Sequence, residues 1–527
     1  MFRETNLIQT IKESPSILEN SIFQGVEKEG LRVNTNLELS KLPHPLGLGS
    51  KLTHPFITTD YSENLLEYIT TVYDNTDELL LSLKQMHCFT YHRLEQDEVV
   101  WPWSMPAIVP ENEMDIPVAY YGESNVGKLK ELYRVGLGNR YGKSMQSIAG
   151  VHYNFSLSKD FWIKYKSLTN DDRELQDVIN DGYFHLIRNY RRYSWILIYL
   201  FGSTPAVDES FLKNKKHTLK KLGKETWGKK NATSLRMGGL GYTSNAQKEI
   251  SICYNALDTY IKTLEVARQK SYPDYEEIGV KVDGEYKQLN THLLQIDNEF
   301  YSTIRPKAVA NSRESALQAL HNRGIEYIEV RLLDVNPFVD TGIDKDSIQF
   351  LHSFLLGCLL MESPIIEQDE CNEIDKNFLT IVNEGRKENL ELTIAGKTDS
   401  IEHFALDFFK NLTEVSEMLD SVYVECDYKK SLEIQRNKIK DISLLPSQKI
   451  MDLISDDKSI IESIGSIARG FKEEHLEMGI ENSLQVEWNA IAKESIDKQK
   501  EVEANDKLVF DVFLLGYFEN IKINFKG

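Results

Sequence analysis

The sequence predicts an α+β fold with a largely antiparallel sheet. Three observations lead there. Short segments alternate apolar and polar residues with the two-residue period of a half-buried strand. Longer segments carry helical periodicity and cap signals. The two kinds are mixed irregularly along the chain.

Residues 4–20 read as an amphipathic helix, with Leu7, Ile8 and Ile11 on one side. GVEKEGLRV (25–33) puts Glu27 and Glu29 on one face when extended. ENLLEYITTV (63–72) has an ambiguous period; its β-branched end favours a strand carrying Glu67, with Asp60 just before it. Residues 76–96 read as a helix N-capped by Thr76, with Asp77 and Glu78 in the first turn. GVHYNFSL (150–157) turns Val151, Tyr153, Phe155 and Leu157 one way and His152, Asn154 and Ser156 the other. Residues 173–202 read as a long helix ending near Gly202 and Pro205. EYIEVRLLDV (326–335) puts Ile328, Val330 and Leu332 on one face and Tyr327, Glu329 and Arg331 on the other. From about 341 the pattern is mainly helical and highly charged. No Pro/Gly/Ser-rich linker, repeat or low-complexity tract divides the chain.

Composition narrows the function classes. The chain has 527 residues, 41% apolar and 27% charged, as in soluble globular proteins. A net charge of −20 argues against a nucleic-acid binder, which needs a basic face. It leaves an anionic small-molecule substrate open, because metals and a few arginines invert the field locally. Cys88, Cys253, Cys358, Cys371 and Cys426 are scattered and form no C-x-x-C, which fits a reducing cytoplasm. The N-terminus lacks the apolar core of a signal peptide, and the most apolar run, WILIYLF (195–201), is too short to span a bilayer.

The polar strand faces carry the chemistry. They hold Glu27, Glu29, Glu67, His152, Asn154, Glu329 and Arg331. A face that merely meets water favours lysine and mixed charge. Carboxylates gathered on one sheet require compensation. Hard divalent cations supply it, and an oxygen-rich site with one imidazole suits magnesium or manganese better than zinc. Glu329 and Arg331, two residues apart, point the same way along a strand. They read either as a metal ligand beside a phosphate-binding cation or as an ordinary surface ion pair.

Residues 122–129, GESNVGKL, nearly match the G-x-x-x-x-G-K-[ST] phosphate loop. Leu129 stands where a metal-holding hydroxyl is needed, and the preceding YY is a weak strand signal. The stretch reads instead as a helix start. Ser124 caps a helix through roughly Tyr133, Lys128 lies on its exposed side, and its far end carries Tyr133 and Arg134.

GVEKEGLRV, TTDYSENLLEYIT, GVHYNFSL, ATSLRMGGLGYTS, FYSTIRPK and GIEYIEVRLLDVNPF, in this order, resemble the glutamate–cysteine ligase (γ-glutamylcysteine synthetase) family of the bacterial type. The resemblance is strong from about 5 to 340 and weaker to the C-terminus. Val26, Lys28 and Gly30 depart from the commoner Leu, Arg and Thr or Asn, and none is a proposed ligand. The resemblance implies a glutamine-synthetase-like fold, with a curved antiparallel sheet forming a funnel surrounded by helices. It implies one ligase unit over 1–527, with core motifs over 20–340 and a mainly helical part over 341–527.

It further implies ATP-dependent joining of the L-glutamate γ-carboxylate to the amino group of L-cysteine through a γ-glutamyl phosphate. That is the first step of glutathione synthesis, and feedback inhibition by glutathione is expected with it. Glu27, Glu29, Asp60, Glu67, His152 and Glu329 become the magnesium shell, with manganese as the alternative ion. Arg331 and Arg134 become the cations that stabilise the transferred phosphoryl group and the tetrahedral intermediate. Tyr133, Gln146, Tyr242 and Tyr301 become the cysteine pocket. Arg236 and Asn154 are assigned to the glutamate α-carboxylate or neighbouring polar atoms. Two other readings stay open: a related ligase with another amine acceptor, and a catalytically dead regulatory relative.

Overall fold

The computed structural model describes residues 11–213, 215–241, 245–248, 250–311 and 314–523. Its main sheet comprises β1 (Ile22–Val33), β2 (Ile57–Thr59), β3 (Leu65–Ile69), β4 (Val99–Val100), β5 (Val151–Leu157), β6 (Ile304–Lys307) and β7 (Tyr327–Leu333). The strand order is β6-β7-β5-β1-β3-β2, with β4 paired to the end of β1, and every pairing is antiparallel. Helices surround it, so the α+β expectation holds.

The register decides what meets what. Glu27 lies opposite His152, and Glu29 opposite Glu67. Asn154 sits between Gly25 and Glu329, and Glu329 opposite Arg305. Directly opposed residues share a face, so the polar residues of five strands gather on one side. The register shifts between Val330 and Leu333, a bulge that bends β7 where Arg331 stands.

The other face is the core. Val26, Tyr153, Phe155, Ile328 and Val330 are at most 1% exposed. Each such aliphatic or phenyl side chain contributes about 1.5–3 kcal/mol. Helices α1 (Thr76–Tyr91), α3 (Leu175–Phe201) and α4 (Lys345–Leu360) pack on the apolar side, and α2 (Asn125–Tyr141) stands over the polar side. Helix α4 is buried from Ser347 to Leu360, and its His352 bonds the Tyr153 hydroxyl at 2.6 Å. That bond lets a tyrosine sit in the apolar layer at little cost.

Four boundaries differ from the sequence reading. Helix α2, expected to end near Tyr133, runs on to Tyr141, so Tyr133 and Arg134 lie mid-helix. Residues 1–10 of the expected first helix lie outside the described residues; beyond them helix covers only 11–13, and Pro15 opens a separate turn, Pro15–Ile17. Asn75, not Thr76, caps α1: its side chain accepts from the Asp77 and Glu78 N–H groups. That helix stops at Tyr91 rather than 96.

The start of α2 is fully engaged. Ser124 Oγ accepts from the Gly127 N–H at 3.1 Å. Asp506, just past the helix Asn482–Asn505, takes the Asn125 N–H and its side-chain amide. A carboxylate of the chain therefore already occupies the place a phosphate needs. Lys128 pairs with Glu123 at 3.1 Å, its side chain 42% exposed. Lys128→Ala is expected to change nucleotide affinity less than about twofold in an equilibrium titration. A tenfold loss would restore the phosphate-loop reading.

Candidate active site

The polar face of the sheet floors a cavity of about 340 Å³. Helix α2 forms one wall with Lys130, Tyr133, Arg134 and Leu137. Met145, Gln146 and Ile148 form another, and Ile296, Asn298 and Tyr301 a third.

Apart from Asn154, Arg236 and Tyr242, every residue assigned from the sequence lines this cavity. Tyr242 lies outside the described residues. Asn154 stands outside the lining: its amide donates to Glu27 at 3.0 Å from within the sheet and braces that carboxylate. Arg236 also stands outside the lining, although its charge acts on Glu29 and lowers that carboxyl. It is fully buried behind β7, donating to the carbonyls of Arg331 (3.0 Å) and Leu332 (3.2 Å), with Asp334 at 3.5 Å. The bulged strand end takes its guanidinium, which does not reach the cavity.

The carboxylates fall into two groups. In the first, Glu27, His152 and Glu329 offer ligand atoms all within 4.8 Å of one another. His152 Nδ1 lies 3.4 Å from Glu27 and 3.4 Å from Glu329. Arg331 bonds Glu329 at 2.9 Å, and Lys307 lies 3.7 Å away. Burial favours the neutral acid at Glu329, but Lys307 and Arg331 overcome it and hold the carboxyl well below its usual range. Burial and the Arg331 charge push the His152 imidazolium down, so the ring is neutral near pH 7. His152 Nε2 and Glu329 Oε2 are buried and make no hydrogen bond among the described residues.

The second group is Glu29, Glu67 and Asp60. Glu29 accepts the Gly150 N–H at 2.6 Å. Burial first, then the Asp60 charge, push Glu29 up to about 8 and Glu67 well above the usual range. The Asp60 carbonyl takes the Arg134 Nε–H, and the Arg134 guanidinium lies over the Tyr121 ring at 4.6 Å. Hydrogen bonds tie the walls together: Gln146 donates to the Tyr301 hydroxyl at 3.3 Å, and the Tyr133 carbonyl accepts from Gln295 at 3.2 Å.

Sequence reasoning missed Lys130, Arg305 and Lys307, which also line the cavity. Arg305 and Lys307 alternate in FYSTIRPK, so a period-2 reading of that motif puts them on one face. Lys130 is four residues before Arg134, the helical spacing that shares a face.

Known proteins resemble this chain over nearly its whole length. The family model described as glutamate-cysteine ligase matches residues 8–381. A glutamate–cysteine ligase of Hahella chejuensis is 44% identical over 500 residues, covering 94% of this chain and 95% of the relative. One from Pseudomonas putida (strain KT2440) is also 44% identical, covering 95% of each. The crystal structure of a Francisella tularensis glutamate–cysteine ligase in complex with AMP superposes with a TM-score of 0.89 at 36% identity, covering 95% of this chain and 98% of that one. A bifunctional glutathione synthetase of Pasteurella multocida matches with a TM-score of 0.72 at 25% identity, over 92% of this chain and 58% of its own.

Proposed function

The chain belongs to the glutamate–cysteine ligase family, and from that premise we infer that it joins the γ-carboxylate of L-glutamate to the amine of L-cysteine, with ATP converted to ADP and phosphate. The observation that carries this at the site is the convergence of Glu27, His152, Glu329 and Arg331, from three strands, on one cavity. A different acceptor or a dead relative is not favoured, given ligases 44% identical over nearly the full length. ATP use is supported by the AMP complex of the Francisella relative.

A carboxylate is a poor acyl electrophile, because its leaving group is oxide. The glutamate γ-carboxylate therefore attacks the γ-phosphorus of ATP, ADP leaves, and an acyl phosphate forms. The neutral cysteine amine then attacks the acyl carbon, the C–O bond to phosphate breaks, and the nitrogen sheds a proton as phosphate departs. Arg305, Lys307 and Arg331 lie together on β6 and β7 and take the charge of the phosphoryl oxygens. Arg134 enters from α2, on the opposite side of the site, and faces the oxyanion of the tetrahedral intermediate. Tyr133, Gln146 and Tyr301 make a mixed aromatic and amide wall for the thiol amino acid. A pocket of that kind separates cysteine from serine better than from the nearly isosteric 2-aminobutyrate.

The donor set fits magnesium or manganese: buried oxygen ligands, a neutral imidazole, and two ligand atoms without a hydrogen bond. Glu27, His152 and Glu329 would hold one ion, and Glu29, Asp60 and Glu67 supply further oxygen ligands. Such an ion, when bound, neutralises phosphate charge and polarises the γ-carboxylate. The five cysteines are free thiols, which supports a cytoplasmic location, and no helix among the described residues is long and apolar enough to cross a membrane. Glutathione, which carries both amino-acid units of the product, is proposed to inhibit by occupying their subsites.

Incubation with ATP, glutamate and a panel of amines, with products identified by mass, tests this reading. Phosphate release that ignores cysteine would overturn it. A second expectation follows from Glu29. Its carboxyl rises from 4.5 to about 8 on folding, so the folded chain binds the proton more tightly than the unfolded one. Without metal, stability therefore falls as pH rises through that window. Magnesium bound to the ionised carboxylates relieves this, so the gain in Tm on adding magnesium is expected to be larger at about pH 8.5 than at about pH 6. Equal gains at both would count against the acidic groups as the metal shell.

A further inference from the structure

Lys130 and Arg134 stand one turn apart on α2, and both line the cavity. Arg134 is engaged: it donates to the carbonyls of Asp60 and, at 2.9 Å, of Lys130. Lys130 is not. Among the described residues its ammonium makes no hydrogen bond and has no carboxylate within 4 Å; it lies over the Tyr121 ring, 5.3 Å from the centroid. Burial and the Arg134 charge lower its pKa to about 8, with Glu67 opposing. Lys130 is half-buried, and a partly desolvated cation without a partner gains from a ligand anion in the cavity.

Which anion it awaits follows from position. Lys130 is on the Glu67 side of the cavity, toward β3. The cations that face phosphate are on β7 and β6, up to four strand spacings away, about 19 Å. The anion at Lys130 therefore belongs to an amino acid and not to the nucleotide. Tyr133 and Leu137 follow it along the same helix wall, and Tyr61 and Ile148 also line the cavity. That lining suits a small thiol side chain, not a second carboxylate.

Resting on the ligase reading above, we propose that Lys130 binds the α-carboxylate of the acceptor, cysteine, and so sets the preference for an amino acid over a simple amine. The contact is a charge-assisted hydrogen bond made on a preformed helix face, so it acts on acceptor recognition and leaves the phosphoryl transfer untouched.

Cysteamine tests this directly, because it keeps the thiol and amine of cysteine and lacks the carboxylate. In Lys130→Met, kcat/KM for cysteine is expected to fall about 30-fold, while that for cysteamine changes less than threefold. The KM values for glutamate and ATP stay within threefold, and Lys130→Arg recovers most of the preference. Equal losses with both acceptors, or a loss that falls on glutamate instead, would overturn the proposal. So would an unaltered protein that uses cysteine and cysteamine equally well, a result that needs no variant to fold. Failure of the ligase reading itself looks different: the unaltered protein would form no γ-glutamylcysteine.

Discussion

Glu329→Gln is expected to lower kcat about a thousandfold with glutamate, cysteine and ATP all saturating. The side chain is 1% exposed, and it is where three other groups meet. Arg331 bonds it at 2.9 Å, His152 lies at 3.4 Å and Lys307 at 3.7 Å. Glutamine keeps the shape and one acceptor oxygen but removes the charge. On the reading proposed above, the first acidic group then loses an anionic ligand, and two half-buried cations lose their counter-ion. The second effect has its own signature. Arg331 and Lys307, no longer neutralised, attract phosphate more strongly, so nucleotide binding without metal is not expected to weaken. Isothermal titration with and without magnesium, set beside steady-state kinetics, separates the two effects. A variant that keeps kcat within threefold, and still needs magnesium to bind nucleotide, would remove Glu329 from the metal shell.

The site was legible in the sequence to the extent that its residues sit on strands. Alternation assigns a face without knowledge of partners, so Glu27, Glu29, His152, Glu329 and Arg331 were all readable from single segments. What alternation does not give is the neighbour across the sheet. Asn154 has the correct face, yet its amide goes to Glu27 on the next strand, and only the register reveals that. Arg236 was harder still. It lies on no strand, and its burial depends on carbonyls of β7 nearly a hundred residues later. Lys130 is hidden for another reason: Lys128, two residues earlier, completes the near-match to a phosphate loop, whereas Lys130 shares with Arg134 the helix face that reaches the cavity. The helix cap misread by one residue at Asn75 is a milder case. Asn and Thr both cap well, and the backbone decides between adjacent candidates.

Arg331→Lys is expected to reduce kcat by about a hundredfold or more, with little change in the KM for cysteine. Lysine keeps the charge, so the test isolates geometry. Arg331 stands on the bulge of β7, where the strand bends, and one arm of its fork is held by Glu329. On the reading proposed above, the same planar guanidinium also serves the transferring phosphoryl oxygens. An ammonium is a point charge on a flexible stem. It satisfies Glu329 or the phosphate, and loses the fixed fork that serves both at once. The loss should fall on the first half-reaction, so a pulse of ATP and glutamate without cysteine should show slower formation of acyl phosphate, trapped by hydroxylamine. Because Arg331 and Glu329 act as one unit, the double variant should be little worse than Glu329→Gln alone. Losses that multiply would mean that the two residues work independently, and that the 2.9 Å contact between them has no part in turnover.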